Sequence, residues 1–189
     1  MNSIFEIISS IIPFDDIEVA HRNDALSWIK SGAQLYRITK PDIPPKHLVS
    51  YFVVVDFIDK SILLVDHRNA KKWLPTGGHV ELNENPATTV SRESKEELQL
   101  DAMFAKQFGE NPFFITVSTT VGLNAGHTDV SLWYVLESSK NVEMKFDENE
   151  FNNIQWFGFD EIMETDPEKL DLHMHRFMNK FTSFAKQIR

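Results

Sequence analysis

The sequence predicts an α/β or α+β protein with a single hydrophobic core. Short runs of β-branched and aromatic residues, typical of strands, alternate along the chain with apolar residues at helical spacing. The 189 residues suffice for one domain with a modest extension, because single domains usually contain about 100 to 150 residues. A hydrophobic share of 42% and 15 Phe residues supply enough apolar surface for a packed core.

The first part of the chain is predicted to be helical. Apolar residues recur at helical spacing in a short first stretch and again between Asp15 and Lys30, before Gly32 ends the pattern. The first stretch contains Ile4, Ile7, Ile8 and Ile11, and the second is expected to bury Ile17, Ala20, Trp28 and Ile29. Residues 40–45 are rich in proline, so we divide the chain into a helical N-terminal extension, residues 1–40, and a main domain, residues 41–189. Amphipathicity does not decide whether the extension forms a homodimer interface, caps a cleft or covers the sheet.

The main domain is predicted to interleave strands and helices. The predicted strands are 50–55, 62–65, 113–121, 130–136 and 154–157, and the predicted helices are 86–98 and 170–187. The first two strands are almost continuously apolar, which indicates burial on both faces. We expect the last helix to dock on the sheet through one broad apolar face. That face comprises Met174, Phe177, Met178, Phe181, Phe184, Ala185 and Ile188.

Charge and composition exclude several classes of protein. The net charge of −9 repels polyanions, so a nucleic acid polymer is not an expected partner, whereas a small phosphorylated ligand can bind through a metal ion. The sequence has no cysteine, which excludes disulfides, thiolate zinc sites and cysteine nucleophiles. The start of the chain lacks the pattern of a signal peptide, and no run approaches about 20 apolar residues. We therefore expect no membrane contact and a cytoplasmic location.

A glycine pair followed by an acidic helix carries the strongest chemical signal. Residues 73–81 end a predicted strand at Gly77 and Gly78, and proline follows in the first turn of the next helix. Glu93, Glu96 and Glu97 fall within an arc of about 100° on that helix. Their mutual repulsion opposes folding unless it is compensated, and Mg²⁺ prefers carboxylate oxygens. The alternative is a solvated acidic face, which is common on exposed helices.

The spacing around this helix resembles the Nudix box, in which a glycine and a glutamate precede an Arg-Glu-apolar-x-Glu-Glu-x-Gly-apolar segment. The corresponding residues here are Gly78, Glu84, Arg92, Glu93, Ser94, Glu96, Glu97, Gln99 and Leu100. Ser94 replaces the usual apolar residue and Gln99 replaces the usual glycine, both at packing or capping positions. The resemblance extends to the predicted strand at Trp156 and Phe157, but not to the first 40 residues.

The resemblance implies roles for individual residues. The Gly77 carbonyl and the carboxylates of Glu93 and Glu97 would hold Mg²⁺, or Mn²⁺ in its place, and Glu96 would share a second ion or position water. The general base stays open between Glu93 and Glu96, with Glu150 as a further candidate. Arg92 would orient a neighbouring glutamate, and Glu84 would brace the loop containing Gly78. For both, the alternative is an ordinary surface salt bridge.

Two further groups are candidates for contact with the substrate. In residues 127–134, alternation places His127, Asp129, Ser131 and Trp133 on one face, which either lines the cleft or belongs to a half-exposed strand. Trp133 could instead belong to the core. The second group is basic, and either contacts phosphates or keeps a turn soluble. It consists of His67, Arg68, Lys71 and Lys72.

The resemblance implies a Nudix α/β/α sandwich with a central mixed sheet, joined here to the helical extension. The implied activity is Mg²⁺-dependent hydrolysis of a phosphoanhydride bond in a nucleoside di- or triphosphate, or in a nucleoside diphosphate linked to another group. A non-hydrolytic, nucleotide-binding regulatory module on the same fold is one alternative. An unrelated α/β protein with a solvated acidic helix is another.

Overall fold

A seven-stranded mixed sheet forms the centre of this computed structural model, which describes residues 3–39, 43–119 and 126–187. The strands are β1 (Lys46–Asp56), β2 (Ser61–His67), β3 (Lys72–Leu74), β4 (Thr76–His79), β5 (Phe114–Thr119), β6 (Thr128–Glu137) and β7 (Phe151–Gly158). Their order is β3-β2-β1-β6-β5, while β4 pairs with β1 and β7 pairs with β2. Only β1 and β6 run parallel among these pairs. The expected mixed sheet is confirmed.

Strand β1 organises the sheet because its two halves have different partners on one side. Its first half, at Val49 to Phe52, pairs with β4, and its second half, from Val54, pairs with the start of β2. On the other side, β1 pairs with β6 along almost its whole length. The end of β4 and the beginnings of β1 and β6 therefore lie side by side, and this arrangement positions the site described below.

Helices cover both faces of the sheet. They are α1 (Ile4–Ser10), α2 (Asp16–Lys30), α3 (Pro86–Leu98), α4 (Phe159–Glu164) and α5 (Met174–Gln187), with a 3-10 turn at Pro167–Lys169. One face packs against Val90 and Leu98 of α3, and the same core includes Ile8 and Ala25 from the N-terminal helices. The opposite face packs against Phe177 and Phe181 of α5. The structure thus confirms the α/β/α arrangement and the docking of the last helix.

Two details of the helices differ from expectation. Helix α5 begins at Met174 instead of residue 170. The preceding residues are engaged elsewhere, because Leu170 forms a β-bridge with Trp73 and the Asp171 carboxylate accepts a hydrogen bond from the His173 amide. The predicted burial of Ile17 and Ala20 in α2 is wrong, since both are exposed. That helix instead buries Ala25 and the polar Glu18, so its inward face differs from the one that the apolar pattern predicts.

Three expectations lie outside the described residues. They concern the domain boundary between residues 40 and 41, the end of the fifth strand at Val121, and Ile188 in the last helix. Of the helices in the described part of the chain, none combines the length and the apolar character that crossing a bilayer requires.

Candidate active site

Helix α3 is fixed at both ends by hydrogen bonds that its sequence supplies. The Asn85 side chain accepts the Ala87 amide at 2.9 Å and caps the first turn. At the other end, Gln99 adopts a left-handed conformation with φ of 50°, where glycine is usual. The Ser94 hydroxyl donates to the Leu100 carbonyl at 2.8 Å, so the unusual polar residue at this position has a partner although it is fully buried.

The two sides of α3 differ as the sequence predicts, with one exception. Ala87, Val90, Ser94 and Leu98 are buried, and Glu96 on the acidic side is 60% exposed. Glu97, however, is only 7% exposed. The acidic side is therefore no simple solvated face, since it places one carboxylate in the interior.

The glycine pair lets β4 approach both β1 and α3. Gly77 has φ of 153°, and a Cβ atom there would overlap the Ser50 carbonyl oxygen. Its amide donates to Glu97 Oε2 at 3.1 Å. A Cβ atom on Gly78 would overlap the Glu93 carboxylate. Gly77 therefore makes room for β1 while its amide contacts Glu97, and Gly78 makes room for the Glu93 carboxylate.

Arg92 joins the end of β4 and the segment after it to the acidic side of α3. Its Nε and Nη2 donate to both carboxylate oxygens of Glu84, each at 3.1 Å. Its Nη1 donates to Glu93 at 2.6 Å and to Glu96 at 3.3 Å, and its Nη2 also donates to the His79 carbonyl at 3.2 Å. Bidentate pairing of this kind fixes geometry as well as charge.

The burial of Glu97 and its neighbours has a large electrostatic effect. Burial raises the pKa of Glu97 to about 9, and the negative charges of Glu93 and Glu150 act in the same direction. Burial also raises the pKa of Glu93, although Arg92 opposes the shift. The pKa of Glu84 lies below its ordinary value, because hydrogen bonds from Arg92, the Glu81 amide and Thr89 outweigh its burial. Without a cation, the ionised forms of Glu93 and Glu97 are thus disfavoured.

These glutamates open onto a cleft with two connected parts of about 470 Å³ and 600 Å³. Both parts are within the usual range for small-molecule sites. The residues that line both parts are Tyr51, His67, Gly77, Glu97, Asp129 and Glu150. The shared lining places Glu97 and the exposed Glu150 at the junction.

The structure brings some of the predicted site residues to this cleft and not others. Those that line it are Gly77, Gly78, Arg92, Glu93, Glu97, Glu150, Lys72, His127 and Asp129. Glu84 and Glu96 do not line it, although both contact Arg92. Arg68 is also absent from the lining and donates to the Phe151 carbonyl at 3.2 Å. The Lys72 ammonium donates to the Leu170 carbonyl at 3.3 Å.

The polar face of β6 is divided between cleft and core. His127, Asp129 and Ser131 line the cleft, as one of the two interpretations expected. Trp133 is fully buried, its ring stacks on Phe177 at 5.4 Å, and its Nε1 donates to Thr116. It therefore belongs to the core.

The donors around Glu93 and Glu97 fit a hard divalent cation. The Glu97 carboxylate contacts Gly77 and the Glu93 carboxylate lies against Gly78. A third carboxylate, Glu150, is close enough to raise the pKa values of both. Magnesium prefers such oxygen donors and usually keeps open positions for water and phosphate oxygens. A bound cation would favour the ionised form of Glu97, which burial and the neighbouring carboxylates disfavour.

Several residues near the cleft were missed by reasoning from the sequence. Burial lowers the pKa of His79 to about 4, and the positive charge of Arg37 acts in the same direction. Burial raises the pKa of Asp171, also in the cleft, to about 6. His47 is fully buried and lies opposite Asp129 in the β1–β6 register. The alternation of His127 and Asp129 was visible in the sequence, but only the register reveals His47 beside them.

Comparisons with known proteins place this geometry in context. A family model described as the NUDIX domain matches residues 46–181. No curated protein sequence matches the chain significantly.

Solved structures share the fold at low sequence identity. A NUDIX family hydrolase from Clostridium perfringens is 23% identical with a TM-score of 0.52, covering 70% of this chain and 96% of its own. An Ap4A hydrolase from C. elegans is 16% identical with a TM-score of 0.57, covering 74% and 98%. The E. coli dihydroneopterin triphosphate pyrophosphohydrolase is 15% identical with a TM-score of 0.55, covering 78% and 97%. At these identities the likeness concerns the fold.

Proposed function

Since the chain belongs to the Nudix domain family and is a Nudix-type hydrolase, we propose that it uses Mg²⁺ to hydrolyse a phosphoanhydride bond in a small nucleotide-like substrate. The substrate class is a nucleoside di- or triphosphate, or a nucleoside diphosphate linked to another group. The observation that carries this proposal is the burial of Glu97 against the Gly77 amide, at the junction of a cleft that Glu93 and Glu150 also line.

The charge of the cleft supports a requirement for metal. Acidic residues outnumber basic ones among the described lining residues, where the basic side chains are Arg37, Lys72 and Arg92. Arg92 is already engaged by glutamates. A polyphosphate would meet net repulsion here unless cations bridged it to the carboxylates.

Glu93, Glu97 and the Gly77 carbonyl would hold the ion, and Glu96 would act on a second ion or a water. When bound, the ion supplies neutralisation of the phosphoryl oxygens and activation of water. Arg92 holds the Glu93 carboxylate in place, and the absence of a side chain at Gly78 leaves space for it. Glu84 in turn fixes Arg92, so the network orients the donors before substrate binds.

The reaction requires an acceptor for the proton of the attacking water. The water oxygen forms a bond to phosphorus, the bridging P–O bond breaks with its electron pair on the leaving phosphate, and a carboxylate takes the proton. Among the base candidates Glu93, Glu96 and Glu150, position favours Glu150. Glu150 lines both parts of the cleft. Glu93 and Glu96, in contrast, form ion pairs with Arg92, and Glu96 lies outside the lining.

The substitution Glu150→Gln tests this choice of base. We expect a fall in kcat of about 10² to 10⁴, the usual contribution of general base catalysis, with a small change in KM and in Mg²⁺ affinity. Glu148→Gln, at an exposed neighbouring position, is the matched control. An unchanged kcat together with a large loss in Glu96→Gln would transfer the role to Glu96.

A substrate panel tests the proposed activity as a whole. It comprises nucleoside di- and triphosphates, ADP-ribose, Ap4A and dihydroneopterin triphosphate, the last two because structural neighbours are named for them. Phosphorus NMR in ¹⁸O-labelled water identifies both the product and the phosphorus attacked. We expect turnover that needs Mg²⁺ or Mn²⁺ and disappears in Glu97→Gln but not in Glu164→Gln, an exposed control. Turnover unaffected by Glu97→Gln at saturating Mg²⁺ would reject the assignment.

Lys72 is the basic side chain proposed to contact the substrate beyond the metal site. Lys72 lines the cleft and is the better placed of the basic candidates, since Arg68 does not line it. The cytoplasmic location, the homodimer and the division at residue 40 stay predictions.

A further inference from the structure

Three histidines and an aspartate meet where β1 and β6 begin and β4 ends, and three of them line the cleft. His47 lies on β1, His79 ends β4, and His127 and Asp129 flank the start of β6. The register brings them together: His47 is opposite Asp129 in the β1–β6 pair, and His79 is opposite Val49 in the β1–β4 pair. We call these four residues the histidine cluster.

The potential donor atoms of the histidine cluster all lie within 4.8 Å of one another. His47 Nε2 is 3.0 Å from His79 Nε2 and 3.2 Å from Asp129 Oδ1. His127 Nε2 is 3.5 Å from the same Asp129 oxygen. Zinc–nitrogen bonds of about 2.0 to 2.1 Å in a tetrahedron place two ligand atoms about 3.3 Å apart. The three measured separations are near that value.

Hydrogen bonding orients the cluster for metal binding. His47 Nδ1 is 2.9 Å from the Pro44 carbonyl oxygen, which can only accept a proton. Nδ1 therefore donates, and Nε2 faces the other members of the cluster. Asp129 Oδ1 is buried, and within the described residues it makes no hydrogen bond of acceptable geometry. A carboxylate oxygen near two imidazole nitrogens without such a bond is suited to a shared cation.

We propose that the histidine cluster binds one divalent transition metal ion of the zinc class, with His47, His79, His127 and Asp129 as its ligands. Imidazole nitrogen favours zinc and related metals, whereas the all-oxygen donors near Glu97 favour Mg²⁺. The two sites thus differ in the metal that they select. Four protein ligands close a tetrahedral site, so the ion has a structural role and no position for substrate.

A metal ion in the histidine cluster would stabilise the part of the sheet that contains Gly77 and Gly78. It links β1, β4 and β6 through side chains whose backbones pair in the sheet. The His79 carbonyl accepts a hydrogen bond from Arg92, so fixing His79 also restrains the partner of Glu93. His127 and Asp129 then serve as metal ligands instead of the substrate contacts that their alternation suggested.

The alternative is a metal-free network in which protons bridge His47 to His79 and to Asp129. Such a network needs no ion and gives no stoichiometric zinc binding. Metal analysis therefore separates the two states directly, without any measurement of activity.

Zinc binding tests the proposal on the full-length chain produced without a histidine tag. The protein is stripped with a chelator, titrated with Zn²⁺ in the presence of excess Mg²⁺, and its bound zinc is measured by mass spectrometry. Titration with Co²⁺ reports coordination number through its visible absorption, which is far stronger for tetrahedral than for octahedral sites. We expect about one zinc per chain, a tetrahedral cobalt spectrum, and a higher melting temperature with zinc than without.

Variants identify the ligands. His127→Gln and Asp129→Asn should weaken zinc and cobalt binding by at least about tenfold and reduce the zinc-dependent rise in melting temperature, while circular dichroism verifies that they fold. His47→Gln is a further variant, but it alters a fully buried side chain. His175→Gln, whose ring contacts the Ile162 carbonyl outside the cluster, and Glu97→Gln should both retain zinc. Substoichiometric zinc in the parent chain, or equal tetrahedral cobalt binding in Asp129→Asn, would overturn the proposal.

Discussion

Glu97 combines a buried position with neighbours of the same charge, and this makes it destabilising in the absence of metal. Its pKa is raised from 4.5 to about 9, first by burial and then by Glu93 and Glu150. The folded protein therefore holds a proton that the unfolded chain releases. The contribution of Glu97 to stability is fully present below pH 4.5 and is lost as the pH rises towards 9.

Glu97→Gln should therefore stabilise the metal-free protein at alkaline pH while removing its response to Mg²⁺. We expect a rise of about 1 to 3 kcal/mol in the free energy of unfolding near pH 8, and a smaller difference near pH 5. Urea unfolding of both proteins with a chelator, and again with Mg²⁺, measures both effects. Glu164→Gln, which is exposed, should change neither. A destabilised metal-free variant at pH 8 would contradict the electrostatic account.

Gln99 is a second residue at which the chain departs from the favourable choice. It ends α3 with φ of 50°, a left-handed conformation in which a Cβ atom is strained. Gln99→Gly should raise the free energy of unfolding by about 1 kcal/mol. Gln99→Ala keeps the strain and serves as the control, so it should not show the gain. An equal gain in both variants would attribute the effect to the glutamine side chain instead of the backbone.

The proximity of Glu93 and Glu97, which both line the cleft, was predictable from the sequence because they share one helix. Glu93 and Glu97 are one turn apart, so helical periodicity alone places them together. His47 and His127, in contrast, are brought together by a parallel strand pair, and no local pattern encodes that register. Glu150 was only a weaker candidate, because it directly precedes β7 and its place in the cleft depends on the pairing of β7 with β2.

At the scale of elements, α2 is joined to the sheet edge by a buried ion pair. Strand β5 is at the end of the strand order, and its Ile115 amide donates to the Glu18 carboxylate at 3.4 Å. The Lys180 ammonium of α5 donates to the same carboxylate at 2.7 Å. Glu18 is fully buried and the Lys180 side chain is 9% exposed. The pair thus covers an edge amide and connects helices from opposite sides of the sheet.

Removing one partner of this pair should be costly, because it leaves the other charge buried and alone. Glu18→Gln or Lys180→Met should each lower the free energy of unfolding by about 3 to 5 kcal/mol. The combined variant should recover part of that loss, and a double-mutant cycle in urea measures the coupling. Asp24→Asn breaks the exposed pair with Lys46 and should cost less than about 1 kcal/mol. Additive losses in the combined variant would contradict a direct interaction.

The ion pair also explains why the orientation of α2 was not predictable from the sequence. The pattern of apolar residues pointed to Ile17 and Ala20, yet the inward face is set by Glu18 and its partner 162 residues away. Periodicity assumes that burial follows hydrophobicity, and a buried carboxylate violates that assumption. Strand assignments were more secure, because β1 and β2 are almost continuously apolar and buried on both faces.

At the scale of the whole molecule, the alternation of strand and helix patterns predicted an α/β or α+β protein but not its connections. The α/β/α layering was implied by the Nudix resemblance, and the structure confirms it. The division of β1 between β4 and β2 does not follow, because pairing depends on contacts distant in sequence. That division places Gly77 and Gly78 of β4 beside β1 and within contact of the α3 glutamates, in the lining of the cleft.

The N-terminal helices belong to the same core as α3, although the family match begins only at residue 46. Ile8 and Ala25 are fully buried in that core, and Glu18 covers the β5 edge. A shortened chain beginning at Ile43 would expose this apolar surface and leave Lys180 without Glu18. We therefore expect it to lose cooperative unfolding or to aggregate, as measured by urea unfolding and light scattering.

Point substitutions test whether packing of the N-terminal helices stabilises the fold without shortening the chain. Ile8→Ala should cost about 2 to 5 kcal/mol, because Ile8 is fully buried. Ile12→Ala, at a position 81% exposed, should change stability by less than about 0.5 kcal/mol. If the shortened chain instead folds as a stable monomer while the full chain is a dimer, the helices serve association. In that case their contacts with the core would contribute little to folding, and Ile8→Ala would weaken the dimer more than the fold.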